Sequence, residues 1–126
     1  LYTANPMACA AANASFALLM AESCRERIDE ISKLHKEFIR RIADHQAVCD
    51  VRALGTILAV ELRSDNGSFY QNPLREMIYP FFLKRNILLR PLGNVIYVLP
   101  PYVITDLELG EIYAAIEEFL SELSAV

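Results

Sequence analysis

Arg90 and Tyr97 are the two residues in this 126-residue chain whose types and spacing suit a chemical task. Two runs of strand-forming residues, Ile87-Leu88-Leu89-Arg90 and Val95-Ile96-Tyr97-Val98-Leu99, flank the turn chemistry of Pro91-Leu92-Gly93-Asn94. The pattern predicts a hairpin. Paired strands lie about 4.8 Å apart, so the guanidinium and the phenol could converge on one anion. A carboxylate suits arginine best, because the planar fork donates two parallel hydrogen bonds. Spacing alone leaves a plainer alternative open and favours it: Arg90 ends a strand at the surface, and Tyr97 packs with its hydroxyl in water.

Other chemistry-bearing residues offer less. Gly93 serves the turn, and Pro100-Pro101 stops the strand and fixes the entry to the last helix. His35 lies on a mixed helix and His45 near its end, which predicts surface or capping groups rather than ligands or bases. There is no glycine-rich phosphate loop, no paired-cysteine motif and no serine in a nucleophile elbow. Lys33, Lys36 and Lys84 all fall among charged residues on helices, whereas a lysine that links a carbonyl cofactor needs a desolvated setting. No catalytic residue is assigned from the pattern.

Composition narrows the class. The net charge is −4 with both signs interleaved, which supplies neither a basic stripe for nucleic acid nor a polybasic membrane anchor. Cys9, Cys24 and Cys49 are odd in number and widely spaced, so neither a disulfide framework nor a metal cluster is expected, and a reducing cytoplasm fits. No run reaches the roughly 18 apolar residues of a membrane span, and the first residues carry no basic signal region, so a soluble protein is expected. The chain opens on Leu1-Tyr2-Thr3-Ala4-Asn5-Pro6 and enters an apolar helix at once, which reads as a cut inside something larger.

These side chains must be carried by elements. Asn5-Pro6 starts a helix, since Asn caps orphan amides and Pro at the first position loses no needed donor. Residues 7–20 are almost all small or apolar, so that helix asks to be covered all round. Ser23 and Glu26 predict a capping box, followed by an amphipathic helix through Ile28, Ile31, Leu34, Phe38 and Ile42 with a solvated charged face. Residues 51–63 predict one strand, with Gly55 permitting a bend or bulge, and Ser64-Asp65-Asn66-Gly67 a turn. Asn72-Pro73 opens a third helix, disturbed at Pro80 and closed by Asn86 in the left-handed conformation. After the hairpin, Thr105 and Glu108 form a second capping box for a helix striped by Leu109, Ile112, Ile116, Phe119 and Leu123. The order from Val51 onward is strand, helix, strand, strand, helix. The fold class is α/β: a long N-terminal helical arm, 1–46, followed by a small domain, 47–126, with an antiparallel sheet covered on one face by helices.

Three stretches resemble a known family. Tyr2-Thr3-Ala4-Asn5-Pro6-Met7-Ala8-Cys9-Ala10-Ala11-Ala12 is similar to the segment after the active-site lysine region in class III, fold type I, pyridoxal-phosphate-dependent aminotransferases. Val51-Arg52-Ala53-Leu54-Gly55-Thr56-Ile57 resembles the first strand of that family's C-terminal domain. Leu89-Arg90-Pro91-Leu92-Gly93-Asn94-Val95-Ile96-Tyr97-Val98-Leu99-Pro100-Pro101-Tyr102 is similar to one branch, which aminates 8-amino-7-oxononanoate with S-adenosylmethionine as donor. The resemblance implies a cytoplasmic homodimer with pyridoxal 5'-phosphate between a large domain and the neighbouring subunit, closed by the C-terminal domain. Small-molecule substrates are implied as partners, with no nucleic acid and no membrane.

Residue by residue, the resemblance matches Arg90 to the arginine that holds the keto acid's carboxylate and Tyr97 to a tyrosine close to the same substrate. The family places a Ser or Thr for the cofactor phosphate where this chain has Leu1, which has no hydroxyl. The cofactor-linking lysine, the acidic partner of the pyridine nitrogen and the phosphate cradle would lie upstream of Leu1, so the chain alone is expected to be inactive. Two alternatives stand beside this: another class III aminotransferase acting on an ω-amino acid, and a stand-alone carboxylate-binding α/β module. The apolar stretch 7–20 argues against the module, because an uncovered face of that size drives association.

Overall fold

The computed structural model describes residues 5–64 and 72–124. Helix α1 spans Pro6–Met20, and Asn5 caps it, with Oδ1 accepting from the amides of Met7 at 3.0 Å and Ala8 at 3.4 Å. Only its C-terminal end meets other described residues, where Leu19 and Met20 lie against the start of the next helix. Helix α1 has no buried residue, and Met7 and Leu18 are 82% and 72% exposed.

Ala21 is extended and breaks the chain between α1 and α2, Glu22–Ile42, whose axes differ by 66°. The predicted capping box at Ser23 is corrected here. Ala21 is the cap residue, no side chain caps α2, and Ser23 is already inside the first turn. The early break places helical geometry at Ser23, so its hydroxyl is past the position where a cap can accept. Glu22 supplies the negative charge that suits a helix N-terminus.

The predicted strand over residues 51–63 is two strands. Strands β1, Val48–Leu54, and β2, Ile57–Leu62, pair antiparallel and are joined at Gly55-Thr56, with Leu54 opposite Ile57. Gly55 has φ +58°, a conformation costly for any residue with a Cβ, so it makes a reversal rather than a bend. The register shifts between Val48 and Asp50, leaving Cys49 as the extra residue of a bulge.

Helix α3, Leu74–Leu83, begins as expected, with Asn72 Oδ1 accepting from the Leu74 amide at 3.0 Å. It runs through Pro80 to Leu83, and in the turn that follows Asn86 has the left-handed φ of +60° expected from the sequence, with the Ile87 amide donating to the Phe82 carbonyl at 3.0 Å.

Residues 87–90 form no strand, and the predicted hairpin is replaced by a different pairing. Strand β3, Val95–Val98, pairs antiparallel with β2, giving the sheet order β1-β2-β3. The turn before it is closed by Leu92 and Val95, which exchange two backbone hydrogen bonds at 2.9 Å. Asn94 then ties that turn to the end of β2, its Nδ2 donating to the Leu62 carbonyl at 2.7 Å. Pro91 has no amide to add to a ladder, which works against extending the turn into a hairpin through 87–90. The stretch keeps strand-like alternation without pairing: Leu89 is buried, and Leu88 and Arg90 are exposed.

Helix α4, Asp106–Ser124, starts with the expected capping box. The Thr105 amide donates to Glu108 Oε2 at 2.8 Å, and the Glu108 amide donates back to Thr105 Oγ1 at 3.2 Å. The observed order from β1 is strand, strand, helix, strand, helix. Leu58, Val60 and Leu62 alternate inward with Ile96 and Val98, so one face of the sheet is buried against helices. The core joins these to Ile31, Phe38 and Ile42 of α2, Ile78 and Phe82 of α3, and Ile116 and Phe119 of α4. Each such large side chain contributes about 1.5–3 kcal/mol by leaving water. The result is a small α/β unit with an antiparallel sheet covered by helices, as the pattern implied.

Candidate functional site

Arg90 leaves the fold between α3 and β3, where the chain is extended but unpaired. Its neighbours in sequence explain its direction: Leu89 takes the core position, so Arg90 must face out. It lines a groove of about 600 Å³ together with Arg75, Glu76 and Tyr79 of α3 and with Leu88 and Pro91. Most of the groove wall is apolar.

Arg90 makes no hydrogen bond or ion pair with any described residue, whereas Arg75, the other guanidinium at the groove, is already engaged. Other arginines of the chain are engaged too. Arg27 pairs with Glu30 and Asp106, Arg41 with Glu117, Arg85 with Glu118, and Arg52 with Asp50 and Glu61. The carboxylates hold these arginine charges more firmly: the hydrogen bonds that Arg85 donates to Glu118, Arg52 to Asp50 and Arg27 to Glu30 raise the pKa of all three guanidinium groups. The guanidinium of Arg90 is left for solvent or for an anion.

Tyr97 stands elsewhere. It sits opposite Ala59 in the ladder, in the same row as Arg52, on the sheet face that points away from the core. It does not line the Arg90 groove. The convergence expected from a shared hairpin is therefore corrected, because β3 pairs with β2 and leaves the Arg90 segment out of the sheet. Leu1, the position matched to a cofactor-phosphate contact, lies outside the described residues.

A seat for the cofactor that the resemblance implies would need an amine shielded from water. Lys33, Lys36 and Lys84 are not buried, and none of them lines the Arg90 groove. The described residues thus offer no enclosed amine for pyridoxal phosphate. No group of three or more metal-binding side chains occurs among the described residues.

His35 is a structural site that its residue type conceals. It is fully buried, not at the surface. Its Nε2 lies 2.9 Å from the Thr56 carbonyl and its Nδ1 lies 2.6 Å from the Tyr113 hydroxyl. A carbonyl can only accept, so Nε2 carries the proton, and neutral Nδ1 accepts from Tyr113. Burial pushes the His35 pKa below its usual value, with the Thr56 hydrogen bond acting the other way. Burial likewise raises that of Tyr113, whose ring stacks on Phe38 at 4.3 Å. The sequence does carry a signal: Ile31, His35, Phe38 and Ile42 recur at steps of four, three and four along one helix face. His45 Nδ1 accepts from the Ala47 amide at 3.2 Å, which braces the turn between α2 and β1 rather than a helix end.

The sheet, its helical cover and the Arg90 segment belong together in known proteins. The chain belongs to the class III aminotransferases, whose family model, aminotransferase class-III, matches residues 1–120. Among curated relatives it is 42% identical, over 97% of its own length, to the Synechococcus elongatus adenosylmethionine-8-amino-7-oxononanoate aminotransferase. The chain spans 28% of that relative. The solved structure of the enzyme of the same name from Methanocaldococcus jannaschii superposes with a TM-score of 0.75 at 31% identity, over 94% of this chain and 29% of that one. A transaminase solved with L-alanine shares the fold, with a TM-score of 0.82 at 24% identity over 95% of this chain and 29% of that one.

Proposed function

We propose that this chain is the C-terminal part of a pyridoxal-phosphate-dependent aminotransferase that moves an amino group from S-adenosylmethionine to 8-amino-7-oxononanoate. The product would be 7,8-diaminononanoate, an intermediate of biotin biosynthesis. The observation that carries the reading is Arg90, an exposed guanidinium with no partner among the described residues, at a mostly apolar groove. The keto acid joins one carboxylate to a long hydrocarbon chain, which matches a single free cation among apolar walls. The likeness to relatives of that name supports the same substrate.

In this reading Arg90 binds and orients the keto acid, and the part given to Tyr97 rests on the resemblance alone, since it does not line the Arg90 groove. Bound pyridoxal phosphate supplies the electron sink, and the lysine that links it belongs to another part of the enzyme. Leu1, at the position the resemblance matches to the cofactor-phosphate contact, has no hydroxyl to offer it. The complete enzyme is a cytoplasmic homodimer acting on small molecules, and the 126-residue chain alone is inactive. Residues 1–46 form the connecting arm and 47–126 the small domain, with the inner face of α2 built into the domain core.

The test is a donor and acceptor screen of the complete enzyme. Amination of 8-amino-7-oxononanoate with S-adenosylmethionine as donor is the expected result. Turnover of an ω-amino acid such as 4-aminobutyrate, with no activity on that pair, would assign the chain to a different branch of class III.

A further inference from the structure

We infer that Tyr79 is a second substrate-contacting residue, forming the wall on which the hydrocarbon chain next to the carboxylate lies. The inference rests on the reading of Arg90 as the carboxylate clamp. Helix α3 turns Ile78 and Phe82 into the core, which leaves Glu76, Tyr79 and Pro80 on the side facing the groove. Tyr79 is 41% exposed and makes no hydrogen bond or ring contact with any described residue. A large ring held at a groove surface without a partner of its own is a surface a ligand can cover.

The rest of the groove agrees with this. Leu88, 79% exposed, and Pro91 add apolar surface beside Arg90. Arg90 beside a phenol ring, a leucine and prolines, with Glu76 and the already engaged Arg75 on the same groove, sorts ligands by two separate features. The carboxylate is read by Arg90 through charge and paired hydrogen bonds. Chain length is read by Tyr79 and its neighbours through the apolar area removed from water. A short acid satisfies Arg90 and leaves Tyr79 wet, whereas a long unbranched monocarboxylate covers both. Tyr79 is therefore a determinant of specificity for chain length rather than for charge.

The experiment is a calorimetric titration of the complete enzyme with butyrate, hexanoate and octanoate, which bind without reacting. In the wild type, affinity should rise with length by roughly 2- to 4-fold for each methylene buried. Tyr79→Ala should flatten that rise, weakening octanoate by about 10-fold while changing butyrate by less than about 2-fold. Tyr79→Phe should keep the wild-type slope, because the ring and not the hydroxyl supplies the wall. Tyr79→Gln, which keeps a long polar side chain and suits a helix, should flatten it as Ala does, and it replaces Ala should that variant not fold. Arg90→Ala should lower all three affinities by a similar factor and leave the slope intact. A wild-type slope in Tyr79→Ala and Tyr79→Gln overturns the inference, as does a wild type that binds all three acids equally. Unchanged affinities in Arg90→Ala would instead overturn the clamp reading, while the Tyr79 slopes still report on the wall.

Discussion

His35 and Arg90 show how far a single side chain can be read. Arg90 is legible because its charge interrupts an apolar run, and the structure leaves that charge free among the described residues. His35 is not, because its type suggests water, although its spacing with Ile31 and Phe38 points inward. Its burial has a measurable consequence. With its folded pKa held below the ordinary 6.5, the folded state resists a proton that the unfolded chain accepts. The stability tied to neutral His35 is thus whole above about pH 6.5 and falls as pH drops toward the folded value. Amides around the Gly55-Thr56 turn should lose protection from hydrogen exchange, measured relative to their intrinsic rates, between about pH 7 and 5.5, and His35→Gln should remove that loss. Glu108 and Glu118 act in a separate window, since their lowered pKa values cost stability only as pH falls below about 4.5. At Arg90, Ala should lower kcat/KM for the keto acid by roughly 30- to 1,000-fold, with Lys rescuing only part because it keeps charge but loses the fork. Single-turnover measurement of the acceptor half-reaction at matched cofactor occupancy checks it, and a loss of under 2-fold would return Arg90 to the role of a surface residue.

At the scale of elements, the helices are more legible than the strands. Caps leave local signatures, so Asn5, Asn72 and the Thr105–Glu108 box can be read directly. The box at Ser23 has the same letters, but tertiary packing breaks the chain at Ala21 and moves the start. The two boxes make a direct comparison. Thr105→Ala should cost about 1 kcal/mol, whereas Ser23→Ala should stay within about 0.5 kcal/mol, both read from thermal melting. The hairpin at Gly55 is hidden because strand-forming residues run on both sides of a turn only two residues long. A Cβ at Gly55 would meet nothing within 4 Å, so the cost of Gly55→Ala is the left-handed backbone alone, about 1–2 kcal/mol. Gly55→Asn should cost less, since Asn tolerates that region. The unpaired stretch 87–90 cannot be separated from a strand by alternation, because it alternates without forming a ladder.

For the molecule as a whole, α1 carries the clearest mismatch between a chain and its surroundings. Helices α2, α3 and α4 each turn one face into a shared core, and the sequence marks those faces by period. Helix α1 has no charged residue from Pro6 to Met20 and no buried one, so most of its apolar surface is uncovered among the described residues. Helices that are apolar all round belong inside larger structures. The chain spans 28% of its Synechococcus relative, and in the proposed enzyme the remainder supplies the cover. The 126-residue chain alone should therefore associate, and light scattering of the isolated chain should report oligomers or aggregates. Placing charges at Phe16 and Leu18, which are 63% and 72% exposed, should disperse them. Cys9 gives a second measurement that does not depend on solubility. It lies on α1 and is exposed in the chain, as is Cys49 at the β1 bulge. In the complete enzyme a maleimide should label Cys9 at least about 10-fold more slowly than an unfolded control, because burial blocks access to the thiolate. Equal, fast labelling of Cys9 in the complete enzyme, together with a monodisperse isolated monomer that keeps its α1 helicity, would show that this helix needs no cover.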